Sequence, residues 1–197
     1  MRIGVDIDGC ICDDDNYRLA YIYKFCLEKG LKEPDLPYGY EFKATFWSNE
    51  LEEAWRDEYF DDYMQNVPVR YGVNEVFEWL HNEGHEIYLI TGRWPACQQN
   101  EKGAHVREET EKWLKKNNIY FDKIVYTGFP KVDYIKKENI DVMIEDFEET
   151  LSDCSKIWPT FCYDNRYNQN LVLDNMVRFF SWYDFYRKFH EIVLKDR

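Results

Sequence analysis

The sequence predicts an α/β protein in which a mostly parallel sheet carries helices on both faces. Short apolar segments alternate with amphipathic helices from residue 72 onward, as they do in βαβ units. The alternation is interrupted once, between residues 14 and 71, where the composition shifts to Tyr, Phe, Trp, Asp and Glu. We therefore expect residues 1–13 and 72–197 to form one α/β core, with a small helical cap at residues 14–71 inserted after the first strand.

The elements of the core follow from the spacing of apolar residues. Apolar runs predict buried parallel strands, and Val73, Val76, Phe77 and Leu80 recur at the spacing of an amphipathic helix that Gly84 ends. The strands are expected at residues 3–7, 86–90, 123–126, 141–144 and 160–163, and the helices at 72–84, 104–117, 132–138, 148–155 and 182–195. This order is that of a Rossmann-like sheet.

The cap is expected to contain two helices, at residues 17–29 and 49–63. A loop joins them, because Pro34, Pro37, Gly39 and Tyr40 interrupt the helical pattern. Its aromatic side chains fit two arrangements, a wall facing the leaving group of a ligand or the cap's own small core. The residues in question are Tyr17, Tyr21, Phe42, Phe46 and Trp47.

Length and charge limit the functional classes. A chain of 197 residues has room for one domain with a modest insertion. Its net charge of −13 and pI near 4.8 disfavour a nucleic-acid polymer as partner. A small phosphate ester held through a divalent cation remains compatible with that charge.

The cysteines and the N-terminus indicate the compartment. Six cysteines at scattered spacings are typical of reduced thiols. Met1 and Arg2 lead straight into the first strand without a signal peptide, and no apolar run approaches the ~20 residues of a membrane span. We expect a cytoplasmic protein that does not bind a membrane, and its oligomeric state stays open.

The first thirteen residues carry the most informative pattern. An apolar run ends in Asp6, Asp8 and Gly9, which places two carboxylates where a buried strand needs apolar side chains. Strand alternation puts both on one side, near the carboxyl end where open α/β sheets bind ligands. Gly9 allows a sharp turn that brings backbone N–H groups towards an anion. The pattern predicts a magnesium and phosphate site with a carboxylate nucleophile; a purely structural cation site is the alternative.

Further polar residues follow other predicted strands. Thr91 and the pair Glu145 and Asp146 each follow one, and Lys131 comes after the strand between them. Because parallel strands end at the same edge of a sheet, we expect these side chains to converge on Asp6.

The order of these residues resembles the four motifs of the haloacid dehalogenase superfamily of phosphatases and phosphotransferases. The motifs are Asp6-Ile7-Asp8-Gly9, Thr91 after an apolar strand, Lys131 at the start of a helix, and the acidic pair Glu145-Asp146. Within the superfamily the sequence is most similar to the 5′(3′)-deoxyribonucleotidase group, also called type C 5′-nucleotidases. The segments LITGR, IEDFEET and YDNRYN and the position of the cap carry that likeness.

The resemblance implies a mechanism. Asp6 attacks phosphorus to form an aspartyl-phosphate, and Asp8 protonates the leaving oxygen and then activates water. The phosphoryl oxygens are bound by Thr91, Gly92 and Lys131.

The resemblance also implies a Mg²⁺ cofactor, bound by Asp6, the backbone carbonyl of Asp8, and Asp146. Glu145 binds the ion through water or orients Lys131. The expected substrate is a small phosphate ester, with (deoxy)nucleoside monophosphates as the leading class.

Two other functions remain open from the sequence. The same chemistry serves a phosphatase of sugar phosphates or other small metabolites, and an acidic pocket also serves a non-catalytic regulatory domain that binds Mg²⁺ or phosphate. Response-regulator receivers are an example of the latter, but they have no Asp-x-Asp-Gly on the first strand and no helical cap after it.

Polar residues beside the motifs have structural interpretations. The run Asp13 to Asp15 is expected to be solvated at the start of the cap, and Arg93 is expected to pair with acids near the site, with phosphate binding as its alternative. Asn165 and Asn168 are interpreted as turn residues first and supports of the site second.

Overall fold

The computed structural model describes residues 1–32, 48–93 and 95–195. The predicted cap loop with Pro34, Pro37, Gly39 and Tyr40 lies outside the described residues, as do Phe42, Phe46 and Trp47.

Six parallel strands form one sheet in the order β3-β2-β1-β4-β5-β6. The strands are β1 (Arg2–Val5), β2 (Glu86–Thr91), β3 (Lys123–Tyr126), β4 (Val142–Glu145), β5 (Thr160–Tyr163) and β6 (Met176–Phe179). The predicted α/β class with a parallel sheet is confirmed. The first five strands lie where the sequence predicts them, although β1 stops two residues before the expected end at Ile7.

Helices connect the strands. They are α1 (Asp14–Lys29), α2 (Asn49–Asn66), α3 (Val73–Asn82), α4 (Glu101–Lys116), α5 (Val132–Lys137), α6 (Glu148–Cys154) and α7 (Trp182–Phe189). The predicted final helix at 182–195 is α-helical only to Phe189, and a π-helical turn, His190–Leu194, follows. In the described parts of the chain no helix combines the length and apolar character that a membrane span requires.

The sheet separates two apolar layers, as the helices on both faces predict. The larger layer packs α3, α4 and α7 against one face through side chains such as Phe77, Trp113 and Trp182. The smaller layer covers the other face and contains Ile135 of α5 and Cys154 of α6. The central strands β1 and β4 are therefore buried from both sides, which explains why their sequences are continuously apolar.

Strand β6 does not follow the apolar pattern of the central strands. Its sequence, MVRF, contains Arg178, and three of its four residues are only half-buried at the edge of the sheet. The Arg178 guanidinium donates to Asp164 at 2.8 Å and to the carbonyl oxygens of Asn168 and Leu171 at 2.8 Å each. These partners all lie in the connection between β5 and β6, 7 to 14 positions before Arg178, and the apolar pattern of the strand itself gives no sign of them.

The described parts of the cap consist of α1 and α2, which pack on each other. Ile22, Phe25, Trp55 and Tyr59 form a small core between the two helices. The end of α2 joins the main core through Tyr63, Met64 and Val67. Domain boundaries near residues 14 and 71 remain a prediction.

Candidate active site

The loop after β1 brings Asp6 to the carboxyl edge of the sheet. The Asp6 N–H donates to the carbonyl oxygen of Ile144 at 3.0 Å, which ties the start of the loop to the neighbouring strand β4. The loop then turns at Gly9, whose φ is +78°, a conformation that favours glycine. Asp6 and Asp8 therefore lie in this loop rather than in the strand itself.

Lys131 joins two of the acids. Its Nζ donates to Asp6 Oδ1 at 2.7 Å and to Glu145 Oε2 at 2.9 Å, and all three side chains are buried. These residues come from the loop after β1, the start of α5 and the end of β4. The convergence that the parallel strands predict is therefore present around Lys131.

Glu145 and Asp146 have different surroundings. The second oxygen of Glu145, Oε1, accepts the backbone N–H groups of Asp146 and Phe147 at 3.0 and 3.1 Å, so both oxygens of Glu145 have donors. Asp146 accepts a hydrogen bond from the Tyr167 hydroxyl and a weak one from the Cys10 thiol at 3.8 Å. Glu145 thus forms an ion pair with Lys131, and Asp146 faces the loop after β1.

A group of three buried carboxylates offers a candidate cation site. Asp6, Glu145 and Asp146 each present an oxygen, and these atoms lie within 4.8 Å of one another. Burial raises the pKa of Asp6 to about 8; the Lys131 charge opposes this rise, and Glu145 and Asp8 reinforce it. Burial and the charges of Glu145 and Asp6 likewise hold the pKa of Asp146 well above its usual value. One ammonium does not compensate three carboxylates, and oxygen donors in excess of positive charge suit a hard divalent cation.

Asp8 is paired with Arg93 rather than with this group. Arg93 Nε and Nη2 donate to the two oxygens of Asp8 at 2.7 and 2.6 Å, and Thr110 Oγ1 accepts from Nη1 at 3.2 Å. Burial by itself would raise the pKa of Asp8, but the Arg93 charge and hydrogen bonds outweigh it and hold that pKa below its usual value. Arg93 is therefore the partner of an acid near the site, as the sequence predicts.

Thr91 and Gly92 lie at the end of β2 beside the lysine. Thr91 is buried, and its Oγ1 accepts the Arg93 N–H at 3.3 Å. A Cβ placed on Gly92 would come within 3.0 Å of the Lys131 Cε, so the absence of a side chain there lets the lysine pass close to the backbone. Gly92 and Lys131 are thus neighbours, and Thr91 precedes Gly92 at the end of β2.

The loop after β5 contributes residues that the sequence analysis underrated. Asn165 Nδ2 donates to the carbonyl oxygen of Gly9 at 3.0 Å, and Asn168 Nδ2 donates to that of Asp146 at 2.9 Å. Tyr167, which contacts the Asp146 carboxylate, entered the prediction only as part of the segment YDNRYN. The available sign was the position of this loop at the same carboxyl edge of the sheet.

The expectation that Asp13 to Asp15 are solvated was wrong for two of them. Asp14 and Asp15 are buried, at 5% and 4% exposed. Asp15 accepts from both Nε and Nη2 of Arg166 at 3.1 Å, which links the start of the cap to the loop after β5. Burial raises the pKa of Asp14 to about 6. A run of aspartates gives no indication of distant partners, so the pattern could not predict this burial.

Known proteins share this architecture. No family model matches the chain. A nucleotidase of Clostridium acetobutylicum is 25% identical over 192 residues, which cover 94% of this chain and 92% of that protein. The nucleotidase candidate YqfW of Bacillus subtilis is 25% identical over 191 residues, covering 92% and 90%.

Solved structures agree on the fold. A protein of Clostridium acetobutylicum described as "a predicted phosphatase" aligns with a TM-score of 0.68 at 17% identity, over 97% of this chain and 98% of that one. A haloacid dehalogenase-like hydrolase of Streptococcus pneumoniae, SP0104, aligns with a TM-score of 0.57 at 14% identity, over 83% and 84%. The fold is that of the haloacid dehalogenase superfamily. The fold that the four motifs imply is therefore confirmed.

The haloacid dehalogenase fold explains why distant motifs meet. Its parallel strands end at one edge, and the acids after β1 and β4 lie against each other there. The similarity to proteins named nucleotidases extends over most of the chain, cap included.

Proposed function

We propose that this protein is a Mg²⁺-dependent phosphomonoesterase that hydrolyses small phosphate esters, with (deoxy)nucleoside monophosphates as its substrate class. The buried group of Asp6, Glu145 and Asp146 beside Lys131 carries the proposal. The names of the curated relatives support the substrate class. The proposal includes a cytoplasmic setting, in which the six cysteines stay as free thiols.

Asp6 is proposed as the nucleophile. Its carboxylate attacks phosphorus, the bond from phosphorus to the leaving oxygen breaks, and an aspartyl-phosphate forms. The hydroxyl of Thr91, the backbone N–H of Gly92 and the ammonium of Lys131 bind the phosphoryl oxygens. Glu145 holds Lys131 in the position from which it contacts Asp6, at 2.7 Å.

Asp8 is proposed as the acid and base. It protonates the leaving oxygen in the first step and takes a proton from water in the second, when the aspartyl-phosphate is hydrolysed. The ion pair with Arg93 favours the ionised form of Asp8, which suits the second step. In the first step Asp8 has to turn from Arg93 towards the substrate, where burial favours its protonated form.

A divalent cation fits the residues present. Asp6, Asp146 and the backbone carbonyl of Asp8 would hold it, since both oxygens of Glu145 already have donors. When bound, Mg²⁺ supplies positive charge that keeps Asp6 ionised and offsets the charge of the phosphoryl group.

The experiment compares the wild type with Asp6→Asn, a replacement of nearly equal shape. We expect the wild type to hydrolyse p-nitrophenyl phosphate and nucleoside monophosphates with Mg²⁺, to stop with chelator, and Asp6→Asn to lose at least about a thousandfold in kcat. Glu78→Gln, on the exposed side of α3, serves as control and should keep full activity. Turnover by Asp6→Asn at the wild-type rate would refute the nucleophile, and faster hydrolysis of sugar phosphates than of nucleotides would refute the substrate class.

A further inference from the structure

Two phenylalanines meet beside the phosphate-binding residues. Phe129 follows β3 and Phe147 directly follows Asp146, and their ring centroids lie 5.7 Å apart with the planes inclined at 70°. Phe129 is 56% exposed although it is large and apolar. Neither residue is used by the proposed chemistry.

The Phe129 ring touches the place where the phosphoryl group is expected to bind. A Cβ on Gly92 would lie 3.1 Å from Phe129 Cζ and 3.0 Å from Lys131 Cε. The same backbone position therefore borders both the phosphate-binding ammonium and the aromatic ring. A group attached to a phosphate held by Gly92 and Lys131 starts within reach of this ring.

The surroundings of Phe147 indicate what kind of group that is. The open surface beside it is formed by Phe147 and the first turns of α6, with Glu148, Glu149, Ser152 and Asp153. Its three carboxylates disfavour a leaving group that carries a second phosphate or a carboxylate. Its aromatic side favours a flat, uncharged group, because rings stack well on Phe faces and edges.

We propose that Phe129 and Phe147 form an aromatic platform on the core that binds the nucleobase of a nucleoside monophosphate. This inference rests on the proposed function and locates base recognition in the loops after β3 and β4 rather than only in the cap.

The test measures binding, so that it does not depend on turnover. Thymidine monophosphate and 2-deoxyribose 5-phosphate, which lacks the base, are titrated by calorimetry with Mg²⁺ into Asp6→Asn protein and into the same protein carrying Phe129→Ala. We expect the Kd of the nucleotide to rise about tenfold in Phe129→Ala and that of the sugar phosphate to stay the same, because one base stack is lost. Phe129→Trp should restore tight binding of the nucleotide. Phe180→Ala removes another exposed ring, which follows the outer strand β6 on the side of the sheet away from β3, and it should leave the Kd of both ligands unchanged.

Other outcomes contradict the platform in distinguishable ways. Equal weakening of both ligands would assign Phe129 to the phosphate site, and unchanged nucleotide binding would remove it from recognition. If Phe129→Leu bound the nucleotide with full affinity, apolar contact rather than ring stacking would account for the binding. Failure of the proposed function is recognised separately. In that case the wild-type protein would hydrolyse no phosphate ester with Mg²⁺, whatever the binding experiments show.

Discussion

Single residues in this site act through the charge beside them. Asp6 and Asp8 are separated by one residue, yet the pKa of Asp6 is raised to about 8 by burial and the pKa of Asp8 is lowered by Arg93. Two carboxyl groups with opposite shifts suit two different tasks, nucleophile and proton carrier. The difference comes from partners far along the chain and not from the motif itself.

The pair of Arg93 and Asp8 is expected to contribute strongly to stability. Arg93→Met leaves Asp8 as an unpaired acid whose side chain is only 19% exposed, so we expect the free energy of unfolding to fall by about 3 kcal/mol. Urea denaturation of the protein in chelator measures this change. The double variant with Asp8→Asn should lose less than the sum of the two single variants.

A matched control uses an exposed ion pair. Arg2 Nε donates to Glu86 at 2.9 Å, and these side chains are 39% and 51% exposed. Arg2→Met should therefore cost less than about 1 kcal/mol. An equal loss in the two arginine variants would show that burial does not strengthen the Arg93 pair.

At the scale of elements, the loops after the strands carry most residues of the candidate site. The loop after β1 approaches Asp146 so closely that a side chain at Gly9 would overlap the Asp146 carboxylate and the Tyr167 hydroxyl. Gly9 is therefore required both by its positive φ and by the space around it.

Two glycine variants separate these requirements. Gly30, which ends α1, has a φ of +64° and open space where a Cβ would be, so Gly30→Ala should cost only the left-handed strain of about 1–2 kcal/mol. Gly9→Ala should lower the free energy of unfolding by about 1–3 kcal/mol more than Gly30→Ala, because its new Cβ also overlaps neighbouring atoms. Chemical denaturation of the two variants measures the difference. Equal losses would show that the loop after β1 adjusts freely, against the close packing described above.

At the scale of the whole molecule, the acidic group links cation binding to folding. In the folded chain burial and the neighbouring acids raise the pKa of Asp6 and Asp146, and the three acids separate when the chain unfolds. A cation that binds only the folded chain therefore stabilises all of it.

Mg²⁺ is expected to raise the melting temperature. At about a hundred times its Kd the ion stabilises by about 2.7 kcal/mol, which corresponds to a rise of about 5–10 °C in a chain of this size. Differential scanning calorimetry with and without chelator measures the shift. Asp146→Asn should abolish it and Glu78→Gln should keep it; a shift that persists in Asp146→Asn would place the ion elsewhere.

The sequence by itself determined the fold class and which polar residues converge at the carboxyl edge of the sheet. Apolar runs and helical spacing record burial locally, so the first five strands and the helices of the core were predictable. Acids and a lysine after parallel strands had to meet at one edge, which led to Asp6, Lys131 and Asp146.

Only the tertiary structure decided which partner each charged group has. The pairing of Arg93 with Asp8, the burial of Asp15 against Arg166, and the contact of Tyr167 with Asp146 join residues 21 to 151 positions apart. A local pattern describes how residues a few positions apart share a face, and it holds no information on such distances. Strand β6 was missed for a related reason, because its Arg178 is satisfied by Asp164 and Asn168, 14 and 10 positions before it in the β5–β6 connection, and strand alternation relates only residues two positions apart.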